Sequence, residues 1–318
     1  MSRNSSMVRK VRSYLIYRRS LGLKLNDQGR VLLRFAEFLD HSGHRGPLTT
    51  RSVLRWLKVG QNSQANRAAK LSTVRSFARY LAVRDGRTEV PDSRLVPMHI
   101  QRRRPHIYTS GELRQLLAAA GRMKLQCKLG PLTFRTLFGL LSSAGLRISE
   151  ALNLTCEHVD LKRGILQIEH SKFKRSRLVP LHPTATRALR RYAMARDQHW
   201  GRYQEQPFFL NSYGRALTKL RVQVRFRELR DALGWHAGNG ERPNPRIHDM
   251  RHSFACRRLL RWYRDGEDVH HRIAALSTYL GHTKVTYTYW YLTGTPELLA
   301  VIGSRFERFA SRAGRRRS

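Results

Sequence analysis

The stretch Gly145-Leu146-Arg147-Ile148-Ser149-Glu150 follows an apolar segment over 131–144 and gives the first indication of the fold. The apolar segment has helical spacing, and Gly145 is a typical left-handed residue at a helix end. Arg147 is therefore expected to project from a fixed turn, with Glu150 one helical turn later. Considered alone, Arg147 would be a surface arginine and its pairing with Glu150 a local salt bridge.

Three later stretches carry residues suited to phosphate chemistry: His248-Asp249-Met250-Arg251-His252, Leu280-Gly281-His282 and Tyr289-Trp290-Tyr291. His248 and Arg251 are three apart, so they share one helix face and can point at one phosphate. Arginines bind phosphate oxygens, histidines move protons near neutral pH, and a tyrosine oxygen can form a covalent intermediate. Together with Arg147, these residues predict strand transfer on DNA without any cofactor.

Other interpretations of these residues stand beside this one. His282 could simply cap the helix that ends at Gly281. Tyr291 has rivals in Tyr287 and Tyr289, and tyrosines in such a cluster are usually core residues. A free tyrosine has a pKa of about 10, so the nucleophile would need cationic neighbours to stabilise its phenolate.

Residues 164–170 and 177–181 are predicted to be two short strands, and residues 171–176 between them a hairpin loop. Lys172 on this loop is a candidate proton donor, because its flexible stem can reach a leaving oxygen. Lys174 is a competing candidate for the same role. Lys174 and Arg175 are also candidate DNA contacts.

Residues from about 8 to 90 are predicted to form helices and no strands. Apolar residues recur at helical spacing in three groups: Leu32, Phe35, Ala36 and Leu39; Val53, Leu54 and Leu57; Leu71, Val74, Ala78 and Leu81. Thr49-Thr50 is a plausible N-cap for the second group. The third helix also carries four cations, which form either a solvated face or a DNA-facing surface: Arg67, Lys70, Arg75 and Arg79.

Residues 91–106 are predicted to form an extended basic linker, because prolines bracket Arg102-Arg103-Arg104. Such a linker could lie along a DNA backbone. The second domain opens with Thr109-Ser110-Gly111-Glu112, a capping-box sequence, and continues in helices to residue 302. Residues 303–318, which include Phe306 and Phe309, are predicted to be a basic tail.

Composition agrees with a DNA partner. The chain has 318 residues, enough for two domains, and 61 Lys+Arg against 22 Asp+Glu give a net charge of +39. This charge implies a polyanionic partner, with nucleic acid favoured over an anionic membrane surface. No apolar run is long enough for a membrane span, and the N-terminus lacks a signal core, so we expect a cytoplasmic protein on DNA.

Metal and disulfide chemistry are not expected. The three cysteines, Cys127, Cys156 and Cys256, include no CxxC pair and are expected to be buried free thiols. The pair His270-His271 lacks nearby carboxylates or cysteines and is expected to lie on the surface. No metal site is therefore predicted.

At these residues the chain resembles the tyrosine recombinases, also called the phage integrase family, over nearly its whole length. The resemblance implies a mainly α fold with a small β-sheet. A helical, SAM-like core-binding domain over 1–90 would be joined by the linker 91–106 to a catalytic domain over 107–302, forming a C-shaped clamp on double-stranded DNA. The ending Tyr-Trp-Tyr-Leu and the stretch Lys-x3-Ser-Arg-Leu-Val-Pro-Leu look most like those of recombinases of bacterial mobile elements.

The resemblance also implies the role of each residue. Tyr291 would attack a DNA phosphate to give a 3′-phosphotyrosyl enzyme without metal or ATP, with Lys172 as the acid for the leaving oxygen. Arg147, Arg251, His248 and His282 would bind the phosphate, and Glu150 would steady the cations. A homotetramer on synapsed DNA is implied, with other recombinases as possible partners. The tail 303–318 would then either dock through Phe306 and Phe309 on a neighbouring subunit or touch phosphate through its arginines. The rival functions are a type IB topoisomerase and an accessory DNA-binding subunit.

Overall fold

The structure, a computed structural model, describes residues 6–97, 105–169, 176–201, 206–235 and 244–289. Contacts divide the chain into two compact units, residues 1–102 and 103–318. The division lies inside the segment predicted to be a linker. None of the described helices is long and apolar enough to cross a membrane.

The first unit is a bundle of four helices: α1 (Met7–Ser20), α2 (Asn26–His41), α3 (Thr50–Leu57) and α4 (Gln64–Ala82). The apolar positions predicted on the second and fourth helices are all buried, and those on α3 are buried except for the half-buried Leu54. The predicted N-cap of α3 is confirmed, since the Thr49 hydroxyl accepts a hydrogen bond from the Ser52 N–H at 3.3 Å. Helical periodicity thus located this core correctly.

The segment that follows α4 differs from the extended linker that its prolines predicted. Residues Ser93–Leu95 form a short 3₁₀ turn, which begins where the Asp92 carboxylate accepts from the Arg94 N–H at 2.8 Å. Pro91 is buried, and its carbonyl oxygen accepts from Arg75 Nε at 2.6 Å. Residues 91–97 therefore pack on the first unit. Arg102, Arg103 and Arg104 lie outside the described residues.

The second unit combines helices with one antiparallel sheet of order β1-β2-β3. Its elements, in chain order, are α5 (Ser110–Gly121), α6 (Leu129–Ala144), α7 (Ile148–Leu152), β1 (Val159–Asp160), β2 (Ile165–Ile168), β3 (Arg177–Pro180), α8 (Pro183–Trp200), α9 (Lys219–Ala232), α10 (Asp249–Arg264), α11 (Val269–Leu280) and α12 (Thr286–Tyr289). The pairs β1–β2 and β2–β3 include Asp160 opposite Ile165 and Ile168 opposite Arg177.

The local sequence signals predicted the ends of two helices and two of the strands of this unit correctly. The capping box at the start of α5 is complete, because the Thr109 hydroxyl accepts from the Glu112 N–H and the Glu112 carboxylate accepts from the Thr109 N–H. Helix α6 ends at Ala144, and Gly145 follows with a φ of +61°. Both predicted strands are present as β2 and β3, whereas β1 was missed because two residues are too short to show alternation.

Helix α6 is the centre of the second unit and is buried along most of its length against α5, α8 and α10. A second apolar cluster joins α10 to α11. The three cysteines are free, but only Cys256 is buried, and Cys127 and Cys156 are partly exposed, contrary to the expectation that all three are buried. This packing brings the C-terminal ends of α6 and α11 close to the start of α10.

Candidate active site

Arg147 is fixed by the turn between α6 and α7. Gly145 ends α6 in the left-handed conformation, and Arg147 is the N-cap of α7 with an extended backbone. Glu150, at the third position of α7, accepts from the Arg147 N–H at 2.9 Å and from Arg147 Nη1 at 2.7 Å. The predicted salt bridge therefore exists, and it anchors the arginine by both backbone and side chain.

Arg147 also reaches the end of α11, where its Nη2 donates to the carbonyl oxygen of Gly281 at 3.0 Å. Its side chain is 24% exposed, whereas that of Glu150 is only 4% exposed. A cation thus stands at the surface with its counter-ion beneath it. Such an arrangement leaves part of the guanidinium open to an incoming anion.

Arg251 lies deeper and is only 2% exposed. Its Nη1 donates to the carbonyl oxygen of Gly145 at 2.8 Å, and its Nη2 donates to that of Leu280 at 2.6 Å. These carbonyl groups stand at the C-terminal ends of α6 and α11, which carry partial negative charge and stabilise a cation. Arg251 therefore ties together the two helix ends that carry Arg147 and His282.

A third arginine, Arg177 at the start of β3, belongs to the same cluster and was not predicted. Its Nη2 and Nη1 donate to the two oxygens of Glu150 at 2.9 and 3.2 Å, and its Nε donates to the Tyr279 carbonyl oxygen at 2.7 Å. Strand alternation could have indicated it, because Arg177 shares a face with the buried Val179 while Leu178 between them is 63% exposed. A mostly buried arginine calls for a carboxylate partner.

His282 follows the left-handed Gly281, which has a φ of +67°, as the sequence predicted. Its backbone N–H donates to the Ser277 carbonyl oxygen at 3.0 Å, and its Nδ1 lies 2.7 Å from Thr288 Oγ1, hydrogen-bonded to it. Burial, then the charges of Arg251, Arg147 and Arg177, lower the pKa of His282 to about 4. His282 is therefore neutral near pH 7 and lies beside all three arginines.

His248 is the residue before α10, and its ring meets that of His252 edge to face with centroids 4.9 Å apart. Burial, followed by the nearby Arg251, lowers the pKa of His248. Burial and then His248 lower the pKa of His252 to about 3. The charge of Arg147 also contributes to the lowered pKa of His248, so Arg147, His248, Arg251 and His282 lie near one another.

Two predicted catalytic residues, Lys172 and Tyr291, lie outside the described residues, as do Lys174 and Arg175. The strands β2 and β3, which precede and follow Lys172 in the sequence, are antiparallel neighbours with Ile168 opposite Arg177. The two competing tyrosines, Tyr287 and Tyr289, are among the described residues. Both are exposed, unlike the core tyrosines that such a cluster usually contains.

The cations predicted on α4 are not equivalent. Lys70 donates to Asn62 Oδ1 at 2.9 Å and lies over the Trp56 ring, and Arg75 is bonded to Pro91. Arg67 is half-buried, whereas Arg79 is exposed. Two of the four therefore turn towards their own unit, and Arg79 is the most accessible candidate for DNA contact.

The pair His270 and His271 is exposed at the start of α11, as expected for a surface pair. His271 Nδ1 lies 2.7 Å from an oxygen of Asp268, which caps this helix. Within the described ranges, no group of three or more histidines, cysteines or acidic residues is placed to hold a metal ion.

Arg147 and Arg177 share the Glu150 carboxylate, and His248 and His282 each lie near Arg147 and Arg251. Such a cluster of cations is suited to binding a phosphate. Comparison with known sequences identifies the family: the phage integrase family profile matches residues 107–297. The chain belongs to this family, which is that of the tyrosine recombinases.

Two curated relatives come from Sinorhizobium fredii. The integrase/recombinase y4rB is 40% identical over 303 residues, covering 94% of this chain and 96% of that protein. The integrase/recombinase y4rE is 36% identical over 296 residues, covering 93% and 94% respectively. The relationship thus extends over both units.

Among solved structures, the chain is similar to the Tn1549 transposon integrase in complex with transposon right end DNA, with a TM-score of 0.66 and 16% identity. The match covers 96% of this chain and 99% of that chain. It confirms the expected mainly helical recombinase fold.

Proposed function

We propose that this site-specific recombinase cleaves and rejoins double-stranded DNA through a 3′-phosphotyrosyl intermediate on Tyr291, and that it serves a bacterial mobile element. The observation that carries the proposal is the convergence of Arg147, His248, Arg251 and His282 at the ends of three helices. These side chains can surround one phosphate. The proposed location is the cytoplasm, on the nucleoid.

In the proposed reaction the Tyr291 oxygen forms a bond to phosphorus while the bond to the 5′ oxygen breaks. Negative charge grows on the nonbridging oxygens in the transition state and is stabilised by fixed cations. Arg147 offers N–H groups at the surface, and Arg251 adds its charge from beneath.

Proton transfers complete the step. His248 is neutral near pH 7 because its pKa is lowered by burial and by Arg251, so it can accept the tyrosine proton. Lys172 gives a proton to the leaving 5′ oxygen. The phosphodiester energy is kept in the phosphotyrosyl bond, so a second 5′ hydroxyl can reverse the reaction without ATP, and the arginine charges take the place of a metal.

The proposed partner is double-stranded DNA, bound by both units, with a homotetramer on two synapsed duplexes. The net charge of +39 and the named DNA complex of the Tn1549 integrase support DNA as the partner. If both units bind DNA, residues 107–318 alone bind a site far more weakly than the whole chain. Equal affinity of the two would contradict this part of the proposal.

The deciding experiment traps the covalent intermediate on a nicked suicide substrate carrying the element's terminal sequence. Wild type and Tyr289→Phe should form the adduct, and Tyr291→Phe should bind the DNA but form none. The adduct should persist in excess EDTA. An adduct that survives in Tyr291→Phe but not in Tyr289→Phe would refute the assignment of the nucleophile.

Two further results separate the rival functions. Strand exchange between two labelled duplexes is expected of a recombinase, whereas a type IB topoisomerase only relaxes and reseals one duplex. A complete absence of adduct from the wild type would favour the accessory DNA-binding subunit.

A further inference from the structure

The carboxylate of Glu150 is shared by two arginines. Each of its oxygens accepts one hydrogen bond from Arg147 and one from Arg177, with distances between 2.7 and 3.2 Å. Arg177 is 10% exposed and Glu150 is 4% exposed, so this pair lies beneath Arg147. The arrangement makes Arg177 the support of the cation that faces the substrate.

We infer that Arg177 is a positioning residue of the active site, which holds Glu150 and the turn at 279–281 so that Arg147 and His282 face the phosphate from fixed places. The inference rests on the proposed function. Arg177 itself need not touch DNA, because the three hydrogen bonds that its guanidinium donates within the described residues go to Glu150 and the Tyr279 carbonyl group.

The first part of this role is electrostatic. Without Arg177, one carboxylate would face Arg147 alone, and the pair would be close to neutral. With Arg177 present, two cations share one anion, and Arg147 keeps charge for the phosphate. The pKa of Glu150 reflects this: burial would raise it, but hydrogen bonds and charge from Arg177, then Arg147, lower it overall.

The second part is geometric. Arg177 Nε binds the Tyr279 carbonyl oxygen, and Arg147 Nη2 binds the Gly281 carbonyl oxygen two residues later. The guanidinium of Arg177 also lies against Gly281. The last turn of α11 is therefore held by both arginines immediately before His282. A small displacement of a catalytic group such as His282 can lower the cleavage rate by a large factor.

The test compares Arg177→Met, Arg177→Lys and Arg190→Met with the wild type. Arg190 is the matched control, an exposed arginine of the same unit that donates to the Leu161 carbonyl oxygen at 2.6 Å. Single-turnover cleavage of the suicide substrate and DNA affinity are measured separately. Arg177→Met should slow cleavage by roughly tenfold to a hundredfold with little change in affinity, while Arg190→Met cleaves normally.

A merely structural role predicts a different pattern: a smaller folded fraction that cleaves at the wild-type rate. Arg177→Lys keeps a charge beside Glu150 but cannot make all three hydrogen bonds of the arginine, so it should cleave at an intermediate rate. It is also the variant to use if Arg177→Met does not fold. Adding Glu150→Gln to Arg177→Met should restore part of the rate, because it removes the negative charge that would otherwise neutralise Arg147 alone. A wild-type rate in both Arg177 variants would overturn the inference.

Hydrogen exchange of residues 277–289 separates this inference from the proposed function. Exchange there should be faster in Arg177→Met than in wild type, whereas a peptide from α2 should be unchanged. If the wild type forms no adduct, the proposed function fails, and this measurement still decides whether Arg177 holds the turn. Unchanged exchange at 277–289 would refute the positioning role.

Discussion

The guanidinium of Arg177 lies so close to Gly281 that a Cβ atom at that glycine would be 2.7 Å from Nη1 and 3.0 Å from Cζ. An arginine normally yields to such a contact by moving, but this one is held by Glu150 and by the Tyr279 carbonyl group. The glycine is therefore required twice, for its left-handed φ and for the space that Arg177 fills.

Gly281→Ala should accordingly lose both stability and cleavage rate. A left-handed alanine costs about 1–2 kcal/mol, and displacement of Arg177 adds to that. Gly234→Ala is the matched control, because Gly234 has a φ of +69° and nothing lies within 4 Å of its Cβ position. Urea unfolding and single-turnover cleavage are measured for both. Equal stabilities and equal rates in the two variants would contradict the packing argument.

Glu150→Ala should lower the free energy of unfolding by about 3 kcal/mol, because it leaves the mostly buried Arg177 and the partly exposed Arg147 without their anion. Glu157→Ala serves as control: Glu157 is exposed, and loss of a surface carboxylate costs less than about 0.5 kcal/mol. Urea midpoints monitored by circular dichroism give the comparison. A loss for Glu150→Ala no larger than that for Glu157→Ala would show that the shared carboxylate stabilises nothing.

Acidification should destabilise the protein through its buried histidines. His282 has a pKa of about 4 when folded and 6.5 as the reference, so below about pH 6.5 the unfolded chain binds a proton that the folded chain does not. The free energy of unfolding therefore falls between about pH 7 and about pH 5. The lowered pKa values of His248 and His252 act in the same direction.

The variant His282→Asn tests this origin, since asparagine can keep the hydrogen bond to Thr288 but does not titrate. It should reduce the loss of stability between the two pH values. A wild-type pH dependence in His282→Asn would rule His282 out as a contributor.

Arg79 and Arg75 on α4 should respond differently to the same substitution. Arg79→Gln should reduce the magnitude of the slope of log affinity against log salt by about 0.9, as expected for one lost phosphate contact. Arg75→Gln should chiefly lower stability, because it removes the bond to the Pro91 carbonyl oxygen. Affinity measured over a salt series and thermal unfolding separate the two effects. An unchanged slope for Arg79→Gln would remove Arg79 from the DNA surface.

The sequence by itself determined the elements and most of the candidate site. Capping at Thr109, the left-handed glycines at 145 and 281, and the apolar stripes of α2 and α4 are local signals, and each acts within about one helical turn. The order of the arginine, histidine and tyrosine stretches indicated the chemistry. The resemblance selected Lys172 by its place before the stretch Arg-Leu-Val-Pro-Leu and Tyr291 by its place nine residues after His282, and both stay predictions.

Only the tertiary structure decided how the cations are held. Arg177 and Glu150 are 27 residues apart, Arg251 and Gly145 are 106 apart, and Arg147 and Gly281 are 134 apart. No local pattern specifies such pairs, because their hydrogen bonds form only after α6, α10, α11 and β3 have packed. Packing within the first unit turned Lys70 and Arg75 towards their own unit. Packing within the second unit placed the unpredicted Arg177 beneath the site, since a buried cation must find an anion or carbonyl oxygens wherever the fold supplies them.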